Sequence, residues 1–353
     1  MAHPGIRGEV WQLQPYGHGA APPADAIRLH ANENPLGPSP LAVEAIVKAA
    51  ADSNRYPDAG CSKLRSALAK MHEIDENCIV VGNGSDELIH LLGLLFLQPG
   101  VSAIAADPSF VRYYAAPPLA GATLHRTPLD VDLKHDLDSM AECFDHATRL
   151  VFVANPNNPT GTLVGADDLE TLLDRLPDPA LLVLDEAYFE YVGAPYSRGL
   201  DWVREGRNAM VLRTFSKAYG LAGLRIGVGF ARPDIIDAIN RAREPFNVGS
   251  IAQAAALAAL QDQEHLAKTR TLNDEGLRTF HAFCAAYGLR HTDSHANFAF
   301  IDLGKDARPI AQAIAHKGVL VRAGLGLDNW IRVNTGLPEQ NQAFLDALKE
   351  HLE

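Results

Sequence analysis

The sequence predicts an α/β fold: a large domain with a mostly parallel sheet covered by helices, followed by a smaller α/β domain. Three observations carry that expectation. Short, continuously apolar runs such as "CIVVG", "VSAIAAD", "RLVFVA" and "ALLVLD" alternate with stretches of helical period such as "SDELIHLLGLLFL" and "GADDLETLLDRL". Strands apolar on both faces belong in a sheet covered on both sides, the arrangement that helical crossovers between parallel strands produce. Polar, Gly- and Pro-containing motifs fall directly after these runs, at the strand ends where such sheets bind ligands. Near Pro233 the alternation gives way to a long Ala-rich helical stretch, then to the apolar runs "ANFAFIDL", "VLVRAG" and "WIRVNTG".

In chain order, residues 1–31 read as an irregular arm rich in Pro and Gly, expected to join the small domain. Apolar positions at helical spacing predict a helix over Pro40–Ala51. The strands and helices of the large domain then alternate to about residue 245, with "FVRYYAAPPLAG" as a helix start and "AMVLRTFSK" and "RIGVGFA" as strands flanking "AYGLAGL". Residues 246–353 form the expected small domain, opening on one long helix over Ser250–Phe283. The division is therefore arm 1–31, large domain 32–245, small domain 246–353.

The chain has 353 residues, 47% apolar and 21% charged, with a formal net charge of −12. That composition suits a globular protein with a sizeable core. An acidic chain without basic clusters is a poor partner for nucleic acid. No apolar run reaches the roughly 20 residues that span a bilayer. The opening "MAHPGIRGEV" lacks the regions of a secretory leader, so a cytoplasmic protein is expected. Cys61, Cys78, Cys143 and Cys284 are widely spaced and read as reduced, buried thiols.

Five motifs carry chemistry. In "VVGNGSDELIH" a strand runs into Gly82, Gly84 and Ser85 at a helix start, where amides favour a phosphate. Ser85 as a simple helix cap explains the same letters equally well. "NPNNPTG", 155–161, is a loop at a strand end, and Asn158 can offer its amide to a ligand. Asp185 of "LLVLDEAY" follows four apolar residues and needs a partner if buried, in a structural ion pair or at a ligand. Tyr188 lies three residues on. In "RTFSKAYGLAGLRIG", Lys217 is either one more surface lysine or a desolvated amine able to form a Schiff base, with Thr214, Ser216 and Arg225 as anion-binding groups around it. Taken together the motifs ask for one ligand with a phosphate, a protonated ring nitrogen, a phenolic oxygen and an aldehyde. Pyridoxal 5′-phosphate has all four. In "NWIRVNTG", alternation puts Arg332 and Asn334 on one face and Ile331 and Val333 on the other, and a guanidinium there suits a carboxylate.

The set "ANENPLGPSP", "NRYPD", "GNGSDELI", "NPNNPTG", "DEAY" and "FSKAYGLAGLRIG" resembles the fold-type I, class I/II aminotransferases, and in order and spacing the histidinol-phosphate aminotransferases. The resemblance covers nearly the whole chain. It implies transamination of histidinol phosphate with 2-oxoglutarate, giving imidazole acetol phosphate and glutamate, as a step of histidine biosynthesis. It implies Lys217 as covalent anchor and proton shuttle, Asp185 at the pyridine nitrogen, Tyr188 and Asn158 at the 3′-oxygen, and Tyr113 stacked on the ring. The phosphate would be held by Gly84, Ser85, the amide of Asp86, Thr214, Ser216 and Arg225. Tyr56 would reach the phosphate of a neighbouring subunit, implying a homodimer with shared sites. For the substrate it implies Arg332 at a carboxylate, Arg322 at a phosphate, and Tyr16 and Asn34 at the pocket.

Two stretches depart from the family pattern: "PYGHG" where "PYxPG" is usual, and "NVG" where "NVN" is usual. The alternatives are an aromatic amino-acid aminotransferase, a threonine-phosphate decarboxylase, a nicotinamide-dependent dehydrogenase built on "GNGSDE", and a metal-binding protein using His291 and His295. The dehydrogenase lacks its third glycine, where Glu87 stands. The "HTDSH" pair leads into a strand and reads as solvent-facing histidines.

Overall fold

The computed structural model describes residues 5–13, 23, 25–193 and 196–352. Its centre is a seven-stranded sheet built from β2 (Ile79–Gly82), β3 (Ser102–Ala106), β4 (Thr123–Thr127), β5 (Thr148–Ala154), β6 (Leu181–Asp185), β7 (Ala209–Thr214) and β8 (Gly227–Ala231), preceded by the short strand β1 (Ile27–Arg28). The spatial order is β2-β8-β7-β6-β5-β3-β4. Strands β4, β3, β5, β6 and β7 are mutually parallel, and only β8 runs against its neighbours β2 and β7. The continuous apolar runs are buried on both faces, as in "LLVLD" of β6 and "AMVLRT" of β7. One apolar layer lies against Leu88, Leu92, Phe152 and Ile239, the other against Leu169, Leu172 and Trp202.

The reversal of β8 follows from its connection. Residues 215–226 turn back on β7, so that Thr214 pairs with Gly227, and the whole "FSKAYGLAGLRI" loop is held at one sheet end. Two glycines make that return possible. A Cβ on Gly227 would lie 2.4 Å from the Ser85 amide nitrogen, and one on Gly220, whose φ is +69°, would lie 2.2 Å from the Gly37 carbonyl oxygen.

A second, three-stranded antiparallel sheet is formed by β9 (Phe298–Asp302), β11 (Arg322–Ala323) and β12 (Trp330–Asn334), while β10 (Val319–Leu320) pairs in parallel with β1. The arm therefore contributes a strand beside this second sheet. The sequence places one strand over "VLVRAG"; the chain instead changes partner at Val321, giving β10 to the arm and β11 to β12. The expected helix over Ser250–Phe283 is two helices, Ser250–Ala259 and Gln263–Tyr287. Asp262 starts the second by accepting the His265 amide at 3.0 Å, a capping role that separates the two. "FVRYYAAPPLAG" is likewise two pieces, a 3-10 turn over Val111–Tyr114 and a helix over Ala116–Ala120. Cys61, Cys78 and Cys284 are buried free thiols and Cys143 is partly exposed.

Candidate active site

The strand ends assemble the site. Gly84, with φ +75°, caps the helix Ser85–Phe96, and a Cβ there would come within 2.7 Å of Arg225 Nη2. The helix N-terminus, with its unpaired amides, thus faces the Arg225 guanidinium without an intervening side chain. Arg225 itself holds a left-handed backbone, φ +50°, uncommon for a residue with a Cβ. Its Nη1 donates to Ser216 Oγ (3.3 Å) and the Ala222 carbonyl (3.2 Å), and its Nη2 to Asp86 Oδ2 (3.1 Å). Thr214 Oγ1 accepts the Ser216 amide at 3.1 Å. Ser85, Asp86, Thr214, Ser216 and Arg225 line one wall of a cavity of about 100 Å³.

Lys217 and Asp185 line the same cavity. Lys217 Nζ donates to the Ala31 carbonyl at 3.2 Å. Burial brings its pKa down to about 8, helped by the nearby positive charge of Arg332 and of Arg225 and opposed by Asp86 and Glu33. Asp185 ends β6. Burial pushes its pKa up to about 6, against hydrogen bonds from the Tyr113 hydroxyl (2.7 Å, to Oδ2) and the Ala187 amide (3.1 Å, to Oδ1). Among the described residues Asp185 has no ion pair. The structural ion pair belongs to the next residue: Glu186 takes Arg213 at 2.8 Å in a buried contact. Successive residues at a strand end point to opposite sides, so Asp185 turns to the cavity and Glu186 away from it.

The "NPNNPTG" loop is fixed by its own asparagines. Asn155 brackets Val164, donating to its carbonyl and accepting its amide, and Asn157 binds Thr160, Ser109 and the Pro108 carbonyl. Asn158 is left to the cavity, where its Oδ1 accepts Arg332 Nη1 at 2.5 Å. The other Arg332 terminal nitrogen donates to the His30 carbonyl at 2.8 Å. A second cavity of about 540 Å³ adjoins the first through Phe110, Asn158 and Lys217, and is also lined by His30, Asn32, Arg322 and Arg332. Arg322 and Arg332 are direct cross-strand partners between β11 and β12. Like charges placed opposite one another are unfavourable unless an anion lies between them.

The other sequence-predicted residues differ in their placement. Tyr113 lines the smaller cavity, with its hydroxyl engaged by Asp185. It is fully buried, and the 3-10 turn sets its ring on Phe152 at 4.8 Å. Phe110, the third residue of "PSF", is the aromatic lining both cavities. Asn34 is not in the pocket: its amide donates to the Ala218 carbonyl (2.8 Å) and Thr269 Oγ1 (3.1 Å), tying the segment after Lys217 to the helix Gln263–Tyr287. The pocket asparagine is Asn32, whose Nδ2 donates to the Tyr188 hydroxyl at 2.8 Å. Tyr56 is 84% exposed, stacked on Phe246, and lines neither cavity. Tyr16 lies outside the described residues. His291 is half-buried with its ring stacked on His281 at 4.1 Å, and His295 lies beside Asp293; among the described residues no group of three His, Cys, Asp or Glu is placed to hold a metal.

The chain is similar to known proteins in sequence and fold. The chain is 45% identical to a histidinol-phosphate aminotransferase of Moorella thermoacetica, over 93% of this chain and 86% of that one. It is 42% identical to histidinol-phosphate aminotransferase 2 of Pseudomonas fluorescens, over all of this chain and 97% of that one. The solved histidinol-phosphate aminotransferase of Sinorhizobium meliloti, in complex with pyridoxal-5′-phosphate, superposes with a TM-score of 0.89 at 29% identity, covering 99% of this chain and 98% of that chain. The family model "Aminotransferase class I and II" matches residues 24–348, and the chain belongs to that family.

Proposed function

We propose that the protein is a pyridoxal 5′-phosphate-dependent transaminase that moves the amino group of histidinol phosphate to 2-oxoglutarate. The observation that carries the cofactor is one cavity lined by an amine of lowered pKa, a buried carboxyl without an ion pair among the described residues, and an anion cup at a helix N-terminus. The residues fit that group. Gly84 and Gly227 are positions where a Cβ would intrude on the cup, and Ser85, Thr214, Ser216 and Arg225 supply its donors. When bound, pyridoxal 5′-phosphate supplies an aldehyde that captures amines and a protonated ring that draws electrons from the substrate α-carbon.

Each protein group then has a task. Asp185, kept ionised by a cation at the ring nitrogen, holds that nitrogen protonated. Lys217 Nζ anchors the cofactor, and once released carries the proton of the substrate α-carbon. Its lowered pKa leaves a usable fraction unprotonated near neutral pH. Tyr188 and Asn158, which line the cavity, would hold the ring oxygen, and Phe110 would pack against the ring. Arg332, set by Asn158 and the His30 carbonyl, grips the glutamate or 2-oxoglutarate carboxylate. Arg322, with no hydrogen bond or ion pair among the described residues, adds the second charge that a substrate phosphate needs.

The same reading makes the enzyme a homodimer. Tyr56 and Phe246 stand exposed together, and the helix Pro40–Ala50 exposes Leu41, Val43 and Val47. A second copy covering this face would bring its Tyr56 to the phosphate cup. The arm 1–31, a large domain 32–245 and a small domain 246–353 are the units of that enzyme, and we place it in the cytoplasm. No helix among the described residues is long and apolar enough to cross a membrane.

The substrate is tested by comparing histidinol phosphate with phenylalanine as amino donor to 2-oxoglutarate. A larger kcat/KM for histidinol phosphate, lost selectively in Arg322→Ala, is expected. A larger kcat/KM for phenylalanine overturns the substrate assignment.

A further inference from the structure

The larger cavity carries a side chain to which neither the fold nor the cofactor gives a task. His30 lies two residues beyond the end of β1 and lines that cavity together with Lys217, Arg322 and Arg332. Its backbone is tied to the anion-binding apparatus, because its carbonyl accepts Arg332 Nη2 at 2.8 Å. The residue is half-buried, and its Nδ1 is buried with no hydrogen-bond partner among the described residues.

We propose that His30 is a third anion-recognition residue of the substrate site, its Nε2–H donating to a phosphate oxygen of the substrate beside Arg322 and Arg332. The inference rests on the transaminase reading above and names the group that reads the phosphate end of the donor.

The tautomer follows from burial. A proton on Nδ1 would be an unsatisfied buried donor, so the neutral ring carries its proton on Nε2, the nitrogen left accessible. The surroundings favour the neutral ring. Burial lowers its pKa; Glu33 opposes this, and Arg28, Arg322 and Arg332 add to it. Glu33 is itself engaged by Arg28 at 2.7 Å. A third cation here would add to the repulsion between Arg322 and Arg332, which stand opposite each other across the strands. A neutral donor adds a hydrogen bond without that cost.

The geometry also separates two kinds of anion. A carboxylate has two oxygens and is satisfied by one guanidinium fork. A phosphate ester has three terminal oxygens, and a third donor is of use only to it. His30 therefore matters for histidinol phosphate and little for glutamate, although both react at Lys217.

The test compares the holoenzyme with its His30→Phe and His30→Gln variants. Phe keeps the ring volume and removes the donor, and Gln returns an N–H at a similar reach. Half-reactions with histidinol phosphate and with glutamate are followed separately, and inorganic phosphate is titrated as a competitor of glutamate. Loss of one hydrogen bond to a charged phosphate predicts an about ten- to a hundredfold higher KM for histidinol phosphate in His30→Phe, with kcat within about twofold. The inhibition constant of phosphate is expected to rise similarly, the glutamate KM to stay within about twofold, and Gln to recover most of both losses. Equal losses for histidinol phosphate and glutamate, an unchanged phosphate inhibition constant, or no recovery in Gln would each overturn the proposal. If the wild type does not turn over histidinol phosphate while phosphate competition still depends on His30, the substrate assignment fails and the anion role of His30 stands.

Discussion

Tyr113→Phe is the substitution that most sharply separates the structure from the sequence reading. The ring is fully buried and stacked on Phe152, so Phe keeps the packing and removes one atom group, the hydroxyl that donates to Asp185 Oδ2 at 2.7 Å. Burial and the Asp185 carboxylate both raise the Tyr113 pKa, so the hydroxyl remains a donor throughout the working range. A hydrogen bond to a charged group contributes about 1.5–3 kcal/mol. At 1.36 kcal/mol per pKa unit its loss raises the Asp185 pKa by about 1–2 units. Starting from about 6 in the cofactor-free protein, Asp185 would then be about half to nine-tenths protonated at pH 7. A protonated Asp185 no longer holds the ring nitrogen charged. The expected result is about two- to tenfold weaker pyridoxal phosphate binding at pH 7, as the ionised fraction of Asp185 falls from about 0.9 to about 0.5–0.1, and a binding-versus-pH curve displaced upward by about 1–2 units. The assay is cofactor titration by absorbance from pH 5.5 to 9. If Tyr113 were instead a ring-stacking residue, Phe would preserve its role and the curve would not move. An unshifted curve refutes the reasoning.

Two further substitutions probe the frame. Gly227→Ala puts a Cβ within 2.4 Å of the Ser85 amide, so the helix start must retreat from the cup. Overpacking of this kind costs about 1–3 kcal/mol, and the thermal midpoint of the cofactor-free protein and the affinity for inorganic phosphate are expected to fall together. Glu190→Gln acts through pH. Burial raises the Glu190 pKa from 4.5 to about 7, against the pull of Arg213, so its contribution to stability is present below pH 4.5 and is lost as pH rises through 7. That shift corresponds to about 3 kcal/mol, so urea unfolding is expected to find Glu190→Gln more stable than wild type at pH 8 and no more stable at pH 4.5.

The parts legible in the sequence were those with one physical solution. "LLVLD" and "AMVLRT" are apolar on both faces, and only a covered sheet accommodates them. Lys217, Asp185, Ser85 and Arg225 were legible because each punctuates an apolar run or a small-residue run at a strand end, and the fold brings all four to one cavity. What was missed depended on chain direction over one or two residues. "PSFVRYY" offers three aromatic residues, and the 3-10 turn decides that Phe110 lines both cavities while Tyr113, lining only the smaller one, is stacked on Phe152 and bound to Asp185. "ANEN" offers two asparagines. The left-handed backbone at Asn32, φ +55°, accompanies a path on which Asn32 meets Tyr188 and Asn34 meets Thr269. The pairing of Arg322 with Arg332 was equally hidden, because it depends on β10 and β11 parting at Val321. The break before Gln263 had a visible signal in Asp262, a capping residue inside a helical run.

The central claim is that Lys217 is the covalent anchor of pyridoxal phosphate. It is tested most directly by reducing the yellow holoenzyme with borohydride, digesting with trypsin and sequencing the labelled peptide by mass spectrometry. A reduced Lys217 resists cleavage, so the account predicts one modified peptide running from Thr214 to Arg225 with the phosphopyridoxyl group on its single lysine. A label on any other lysine, or none on this peptide when the cofactor is bound, would contradict it.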